Sequence, residues 1–434
     1  MNTRKIALDV LRDAEREDKY ISLALDAALR ALPEADERDK RLLANLVFGV
    51  TEKRVTLDWY IENLTGKRAC DISTRLRFLL RLGLYQLAFL DRIPPHAAVF
   101  ETVRLGKSPG ERAFLNGVLR AYLRKKEEFP LPKDDVGRMS ILYSFPIHIV
   151  KTFCENLGDA AEDALRALST EPPTTLAVNT RRLSRTQALD RLQSAGINAK
   201  VTEISPRGVR IFDGISYDKL CAVLGDGNFF VQDEASQMAI LALAPKPGEV
   251  GVDCCACPGS KSFFAALCME DAGKIYDFDL HASKLPLITN SAANLGLTCI
   301  TAAAHDGRAP RADLVGACDF VICDVPCSGL GVLAKKPEIR FHADTLPQDA
   351  AATAREILTA ASAYLRVGGR LLFSTCTLTH IENEDNYHAF LAENENFAPT
   401  DFTLGDLSSH GGKLTLLPTG ERDGFFISLC TRIK

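Results

Sequence analysis

The 434-residue sequence predicts an α/β protein. Its C-terminal half reads as a mostly parallel, doubly wound, Rossmann-like sheet, preceded by a small α/β module and an all-helical N-terminal part. Three observations carry this reading. From Asn228 onward short apolar runs alternate with helical patterns, as expected of parallel strands joined by crossover helices. Between about Val136 and Asp226, helical and strand-like pieces mix. Up to about residue 125 the apolar residues recur only at three- and four-residue spacing.

The helical part opens with Ile6, Leu8, Val10 and Leu11, and the spacing returns at Leu42, Leu43, Leu46 and Val47. LRFLLRLGLYQLAFL (Leu76 to Leu90) is apolar on most sides and suits the centre of a bundle. Pro94 and Pro95 break it, and further helices are expected over Ala97 to Leu105 and Glu111 to Arg124. FPLPKDD (Phe129 to Asp135) reads as a linker. In the middle module, TLAVNT (Thr175 to Thr180) is strand-like. SRTQALDRLQSAG reads as a helix with Ser184 as N-cap and Gly196 as C-cap, and a strand follows around Val209 to Phe212. The C-terminal candidate strands are Glu249 to Cys255, Lys274 to Asp279, Cys299 to Ala303, Asp319 to Asp324 and Gly369 to Thr375. The clearest helix is Ala351 to Leu365. The expected divisions are 1–128, 136–226 and 227–434.

Composition narrows the function classes. No apolar run of about 18 residues exists, so a membrane span is not expected. The N-terminus MNTRKIALDVLRDAERED has no apolar core followed by a cleavage site, which points away from secretion and toward a cytoplasmic protein. Thirteen cysteines without an export signal read as reduced thiols. Cys254, Cys255 and Cys257 lack the CxxC spacing and nearby histidines of a zinc site, so no metal is expected. Net charge is −4, yet Met1 to Lys126 carries 24 basic and 17 acidic residues, an excess of seven, which leaves the remainder at −11. Such asymmetry suits an N-terminal part that meets a polyanion, and suits an ordinary solvated helical surface equally.

The first C-terminal strand runs into Asp253-Cys-Cys-Ala-Cys-Pro-Gly-Ser-Lys-Ser262, a turn of small residues leading into a helix. Small residues let a ligand approach the backbone, and the helix start offers free N–H groups. The turn is neither GxGxxG nor a Walker loop, so phosphate binding is not indicated. Asp279 ends the second strand, where an acid can accept from ribose hydroxyls, and Asp306 follows the third, within reach of an adenine. The fourth strand runs into Asp324-Val-Pro-Cys-Ser-Gly329 and the fifth into Ser374-Thr-Cys-Thr377. Neighbouring strands would thus deliver Asp324, Cys327 and Cys376 to one rim. A free cysteine is most often a small buried hydrophobe. A place at a strand end beside Pro, Ser and Gly favours function instead.

From VQDEASQM (Val231 to Met238) to DGFF (Asp423 to Phe426), the chain resembles the RNA 5-methylcytosine methyltransferases of the Nol1/Nop2/Sun family. The stretches DCCACPGSKS, YDFDLHASKL, HDGR, CDVPCSGLGVLAKKPEIR and STCTLTHIENEDN occur in the family's order. The resemblance implies a methyltransferase domain over 227–434 that uses S-adenosyl-L-methionine. It implies Cys376 as nucleophile, Cys327 as the residue that assists product release, Asp324 at the cytosine edge and Lys261 near the reacting base. Cofactor contacts carry over to Cys255, Ala256, Cys257, Pro258, Gly259, Ser260, Lys261, Asp279, Asp306 and Asp324. Such chemistry needs a thiol because cytosine C5 is a poor nucleophile. Addition of a thiolate to C6 makes C5 enamine-like and able to attack an electrophilic methyl. An acid near N3 stabilises the charge that develops, and a base removes the C5 proton before the thiol leaves.

RLLANLVFGV, LRLGLYQLAFLDRIPPHAAVFETVRLGK and FLNGVLRAYLR resemble the NusB-like RNA-binding helical domain of the bacterial Sun (RsmB-type) enzymes. YSFPIHIV and TLAVNTRRLS resemble their connecting region. That group methylates 16S ribosomal RNA, so the expected partner is 16S rRNA and the expected form a monomer. The departures are small: Cys257 stands where alanine is usual, Ser260 for a second glycine, Glu338 for an aspartate and Thr377 for a serine, and the tryptophan usual after YS-x-P is absent. Two other readings compete. A tRNA cytosine-C5 methyltransferase would share every catalytic residue. A noncatalytic RNA-binding, antitermination-type factor would need only the helical domain. DNA cytosine methylation is disfavoured by the added Thr375-Cys376 pair.

Overall fold

The computed structural model describes residues 2–17, 19–125, 129–341 and 347–434. The expected boundary at residue 128 lies outside them. The chain forms two compact units: Met1–Ser169 with Leu333–His342, and Thr170–Val332 with Ala343–Lys434. No helix among the described residues is long and apolar enough to cross a membrane.

The first unit is helical. Seven helices span Thr3–Glu17, Ile21–Arg30, Glu37–Glu52, Arg54–Thr65, Thr74–Phe89, Pro95–Arg104 and Pro109–Lys125. Asp135–Tyr143, Ile147–Leu157 and Ala161–Leu168 follow. Thr74–Phe89 is the central helix, with every residue from Phe78 to Gln86 buried. That burial includes Arg81, whose guanidinium makes a bidentate pair with Asp58 at 2.7 Å for each bond. Pro95 sits in the first turn of its helix, where its missing N–H is harmless.

The segment Leu333–His342 belongs to this helical unit, and Arg340 explains why it is held there. Its side chain is fully buried. Nη1 donates to the carbonyls of Glu52 (2.9 Å) and Ser144 (3.1 Å), and Nη2 to those of Leu168 (3.2 Å) and Leu333 (3.3 Å). Glu52, Ser144 and Leu168 terminate three helices, whose C-termini carry partial negative charge and unpaired carbonyls. The guanidinium also lies 3.9 Å from the centre of the Phe145 ring. Burial lowers its pKa to about 10, which still leaves it charged at neutral pH.

The second unit contains two principal sheets. The smaller has the order β2-β3-β1-β4, from β1 (Thr174–Val178), β2 (Ala199–Val201), β3 (Gly208–Ile211) and β4 (Phe229–Val231), all antiparallel. Its helix Arg185–Ser194 starts as expected: Ser184 and Gln187 form a reciprocal capping box. At the other end Ala195 is the C-cap, and Gly196 follows in the left-handed region at φ 74°, one residue beyond its expected place.

The larger sheet is built on five parallel strands, β5 (Val250–Asp253), β6 (Lys274–Asp279), β7 (Ile300–Ala304), β8 (Cys318–Asp324) and β9 (Leu365–Thr375). The chain then adds β10 (Phe397–Pro399), a short hairpin of β11 (Thr403–Leu404) and β12 (Leu407–Ser408), β13 (Lys413–Leu416) and β14 (Phe425–Arg432). The order is β10-β14-β9-β8-β5-β6-β7, with β13 also on β14. The antiparallel edge made by β10, β13 and β14 goes beyond the strands read from sequence. The helix expected over Ala351 to Leu365 runs instead over Pro347–Ser362, because Leu365 already pairs with Cys318 as the first residue of β9. Apolar cores cover both faces, through Phe264, Ile275 and Phe320 on one and Phe278, Val321 and Phe373 on the other.

Two carboxylates lie inside this sheet. Asp253 and Asp277 are register partners on β5 and β6, and both are buried. Asp253 accepts from Ser262 Oγ at 2.9 Å and from Cys255 N at 3.2 Å. Neither oxygen of Asp277 meets a donor among the described residues. Burial raises Asp253 to about 7, and burial together with the Asp253 carboxylate raises Asp277.

Two outcomes are expected. Arg340→Leu strands buried carbonyls at three helix ends and should cost about 3 kcal/mol, a fall of roughly 6–12 °C in the melting temperature of the helical unit. An unchanged melting temperature would contradict this account. The acid pair has the opposite pH sense to a salt bridge. Unfolded aspartate ionises near pH 4, whereas the folded chain retains the proton. The stabilisation is therefore complete below about pH 4 and is lost as pH rises toward about 7. The melting temperature of Asp277→Asn, relative to the parent chain, should rise from about pH 5 to about pH 8. A pH-independent difference would contradict the raised carboxyls of this pair.

Candidate active site

The site is assembled at the carboxyl ends of β5, β6, β8 and β9, where parallel strands leave loops free to carry function. After β5 the chain turns through Cys254 to Gly259 into the helix Ser260–Cys268. The turn is tied down by Ala256 N to Phe278 O (2.8 Å) and Gly259 N to Ala256 O (2.6 Å). Gly259 has φ 105°, and a Cβ there would stand 2.4 Å from the Phe263 ring, so no other residue fits without strain. Cys255 and Cys257 are half-buried, and burial raises both thiols above their ordinary range, which disfavours a nucleophilic role.

The strand-end acids differ in their surroundings. Asp279, buried at the end of β6, accepts from His281 N at 2.9 Å. Asp306, beyond β7, is paired by both oxygens with Arg308, whose hydrogen bonds hold its carboxyl down at about 2. Asp324 ends β8. Its Oδ2 accepts from Lys261 Nζ at 2.6 Å and its Oδ1 from Ser374 Oγ at 2.9 Å. Lys261 is buried and its ammonium also faces the Phe425 ring, 5.2 Å from the centroid. A buried cation paired with one carboxylate fixes that carboxylate's orientation toward the rim.

The two cysteines meet. Cys327 Sγ and Cys376 Sγ are 3.4 Å apart, and both residues are half-buried. The hydrogen bond to Cys376, followed by burial, raises the Cys327 thiol well above its ordinary value. The β8–β9 register, which pairs Asp324 with Ser374, sets the two loops side by side. Their approach requires Gly331: its N–H donates to Cys376 O at 2.9 Å, and a Cβ on it would stand 2.1 Å from Gly424 O. The structure therefore brings Cys327, Cys376, Asp324 and Lys261 together, with the Cys255–Ser260 turn and Asp279 at neighbouring strand ends. Asp306 is present on the same edge, with its carboxylate already engaged by Arg308.

Sequence reasoning missed three supporting residues. Ser328, Glu382 and Asn383 are buried and hydrogen-bonded beneath the cysteine loops. All three lie in stretches that carry the family resemblance, CDVPCSGLGVLAKKPEIR and STCTLTHIENEDN, but the polar run IENEDN by itself reads as a solvated helix start.

Comparisons with known proteins agree with this architecture along the whole chain. The family model of the 16S rRNA methyltransferase RsmB/F matches residues 240–431, the NusB family model residues 1–124, and the RsmF/B-like ferredoxin-like domain residues 145–218. The "Probable ribosomal RNA small subunit methyltransferase B" of Bacillus subtilis (strain 168) is 32% identical over 443 residues, covering 98% of each chain. That of Synechocystis sp. (strain ATCC 27184 / PCC 6803 / Kazusa) is 33% identical over 452 residues, covering 99% of each. Among solved structures, the crystal structure of PH0851 superposes with a TM-score of 0.83 at 25% identity, covering 99% of this chain and 98% of that one. NSun6 from Pyrococcus horikoshii with SFG shares the fold over 68% of this chain and 100% of its own, with a TM-score of 0.57 at 19% identity. With a NusB domain, a ferredoxin-like module and a Rossmann-like catalytic sheet in this order, the chain belongs to the ribosomal RNA small subunit methyltransferase B family.

Proposed function

We propose that the protein methylates cytosine C5 in 16S rRNA, with S-adenosyl-L-methionine as methyl donor and Cys376 as covalent nucleophile. The observation that carries this reading is the 3.4 Å approach of Cys327 and Cys376 beside the Lys261–Asp324 pair. A chain needing only one buried apolar thiol has no reason to place two in contact at the rim of a sheet. We take the divisions 1–128, 136–226 and 227–434 as RNA-binding domain, connecting module and catalytic domain.

The residues fit the donor. The small-residue turn Cys255–Ser260 brings backbone close, and Asp279 offers a carboxylate to ribose hydroxyls at the end of β6. When bound, S-adenosyl-L-methionine supplies an electrophilic methyl on a positively charged sulfur. Cys376, as thiolate, adds to C6 of the flipped-out cytosine and leaves C5 electron-rich. Asp324, oriented by Lys261 and Ser374, faces the N3 edge, where charge develops. After C5 takes the methyl group a base accepts the C5 proton, the C5–H electron pair re-forms the C5–C6 double bond, and the C6–S bond breaks with its electron pair returning to Cys376. Cys327 sits against Cys376 with its thiol raised by the hydrogen bond to Cys376 and by burial, so it can donate a proton to the departing sulfur as the adduct resolves.

The thiols have different roles, and substitution separates them. Cys376→Ala should lower methylation by about a thousandfold or more and form no covalent RNA adduct. Cys327→Ala should accumulate a protein–RNA adduct that survives denaturation, visible as a retarded band on a denaturing gel. Exchange of the two outcomes would reverse the roles. Bisulfite mapping of rRNA and tRNA from cells with and without the gene tests the substrate. One cytosine in 16S rRNA should lose its protection, and loss confined to a tRNA would point to the tRNA enzyme.

A further inference from the structure

The loop after Cys376 turns back and lays two adjacent buried residues against both cysteine loops. Glu382 and Asn383 are each 1% exposed. Glu382 accepts from Ser328 N (2.7 Å) and Ser328 Oγ (2.6 Å), immediately after Cys327. It also accepts from Thr377 Oγ1 (3.4 Å), immediately after Cys376, and from Thr379 Oγ1 (2.5 Å). Asn383 accepts from Thr375 Oγ1 (2.5 Å) and donates to Thr377 O (3.0 Å), so its amide brackets Cys376 on both sides.

This arrangement has a local cost. Asn383 stands at the N-cap of the helix Glu384–Glu393, where asparagine is among the favoured residues, yet its side chain does not cap the helix. A cap of this kind is worth about 1 kcal/mol. Glu382 is a carboxylate removed from water, which is tolerated only because several donors surround it. Both residues forgo their usual uses for bonds to the residues that flank Cys327 and Cys376.

We propose that Glu382 and Asn383 are positioning residues for the two-thiol chemistry, joining the Cys327 and Cys376 loops so that their sulfurs stay in contact. The proposal rests on the two-cysteine reading above. Because the residues are consecutive, neither loop can shift against the other without breaking bonds to one of them. Glu382 adds an electrostatic contribution: after the Cys376 hydrogen bond and burial, its charge helps keep the Cys327 thiol protonated. A displacement of about 1 Å between reacting groups can cost a hundredfold in rate.

The test uses the full-length protein and two readouts. Phenylarsine oxide condenses with two adjacent thiols, forming two As–S bonds with loss of water, and needs no RNA. Mass spectrometry of peptides reports the bridge at Cys327 and Cys376. Glu382→Gln and Asn383→Ala should each slow this bridging about tenfold or more and lower kcat for 16S rRNA methylation by a similar factor. KM for RNA and calorimetric S-adenosyl-L-methionine binding should change little, whereas the melting temperature should fall, since each variant leaves buried hydrogen-bonding groups unpaired. If either variant folds poorly, Ser328→Ala removes one arm only and should give a smaller loss of both bridging and kcat. Bridging and kcat within about twofold of the parent would overturn the proposal. A parent chain that bridges but methylates no cytosine would instead overturn the reading of function, leaving the positioning role to stand on bridging alone.

Discussion

The in-register parallel pairing of β8 with β9 is the constraint on which the site depends. Asp324 and Ser374 are partners across that ladder, so both strands end at the same level and their loops leave side by side. A slip of one residue would turn every side chain on β9 to the opposite face. It would also part Ser374 from Asp324, whose hydrogen bond crosses the same rim. The close meeting of the sulfurs follows from this register, because each cysteine sits only a few residues beyond its strand. Gly331 and Gly424 then allow the backbone of the Cys327 loop to pass directly against that of Cys376.

Buried charge is handled differently at each place it occurs. Lys261 and Asp324 neutralise each other and hold a carboxylate at the rim. Glu382 is satisfied by hydroxyl and amide donors instead. Arg340 is stabilised by helix C-termini, a diffuse negative charge that needs no acid. Asp253 and Asp277 are raised by burial instead, and neither oxygen of Asp277 meets a donor among the described residues. Each solution removes part of the desolvation cost that an isolated ion would carry. The pairing at the rim leaves a charge available to a ligand, whereas the others serve the framework.

Much of the fold was legible. The strands β5 to β9 appeared as short apolar runs, because strands covered on both faces have no polar side to interrupt them. The helix beginning at Arg185 was legible from its Ser184 N-cap and the glycine at its end, both purely local devices. The antiparallel edge was not: β10 and β13 are short, half-exposed and held by β14, which lies far along the chain from β9. The end of the helix Pro347–Ser362 was misplaced because helical periodicity continues through Tyr364 and Leu365, while the ladder with Cys318 claims Leu365. Local preference yielded there to a tertiary hydrogen bond.

By itself the sequence determined the order of the strands β5 to β9, the small-residue turn after β5, and the placing of Asp279, Asp324, Cys327 and Cys376 at or just past strand ends. These are consequences of periodicity and of residue size, which act over a few positions. Tertiary structure alone decided that the two sulfurs touch, that Lys261 turns to Asp324, and that Glu382 and Asn383 serve the loops rather than their own helix. It also decided that Leu333–His342 packs within the helical unit. Each of these joins residues distant in sequence or chooses between partners of equal local merit, and only packing in three dimensions makes that choice.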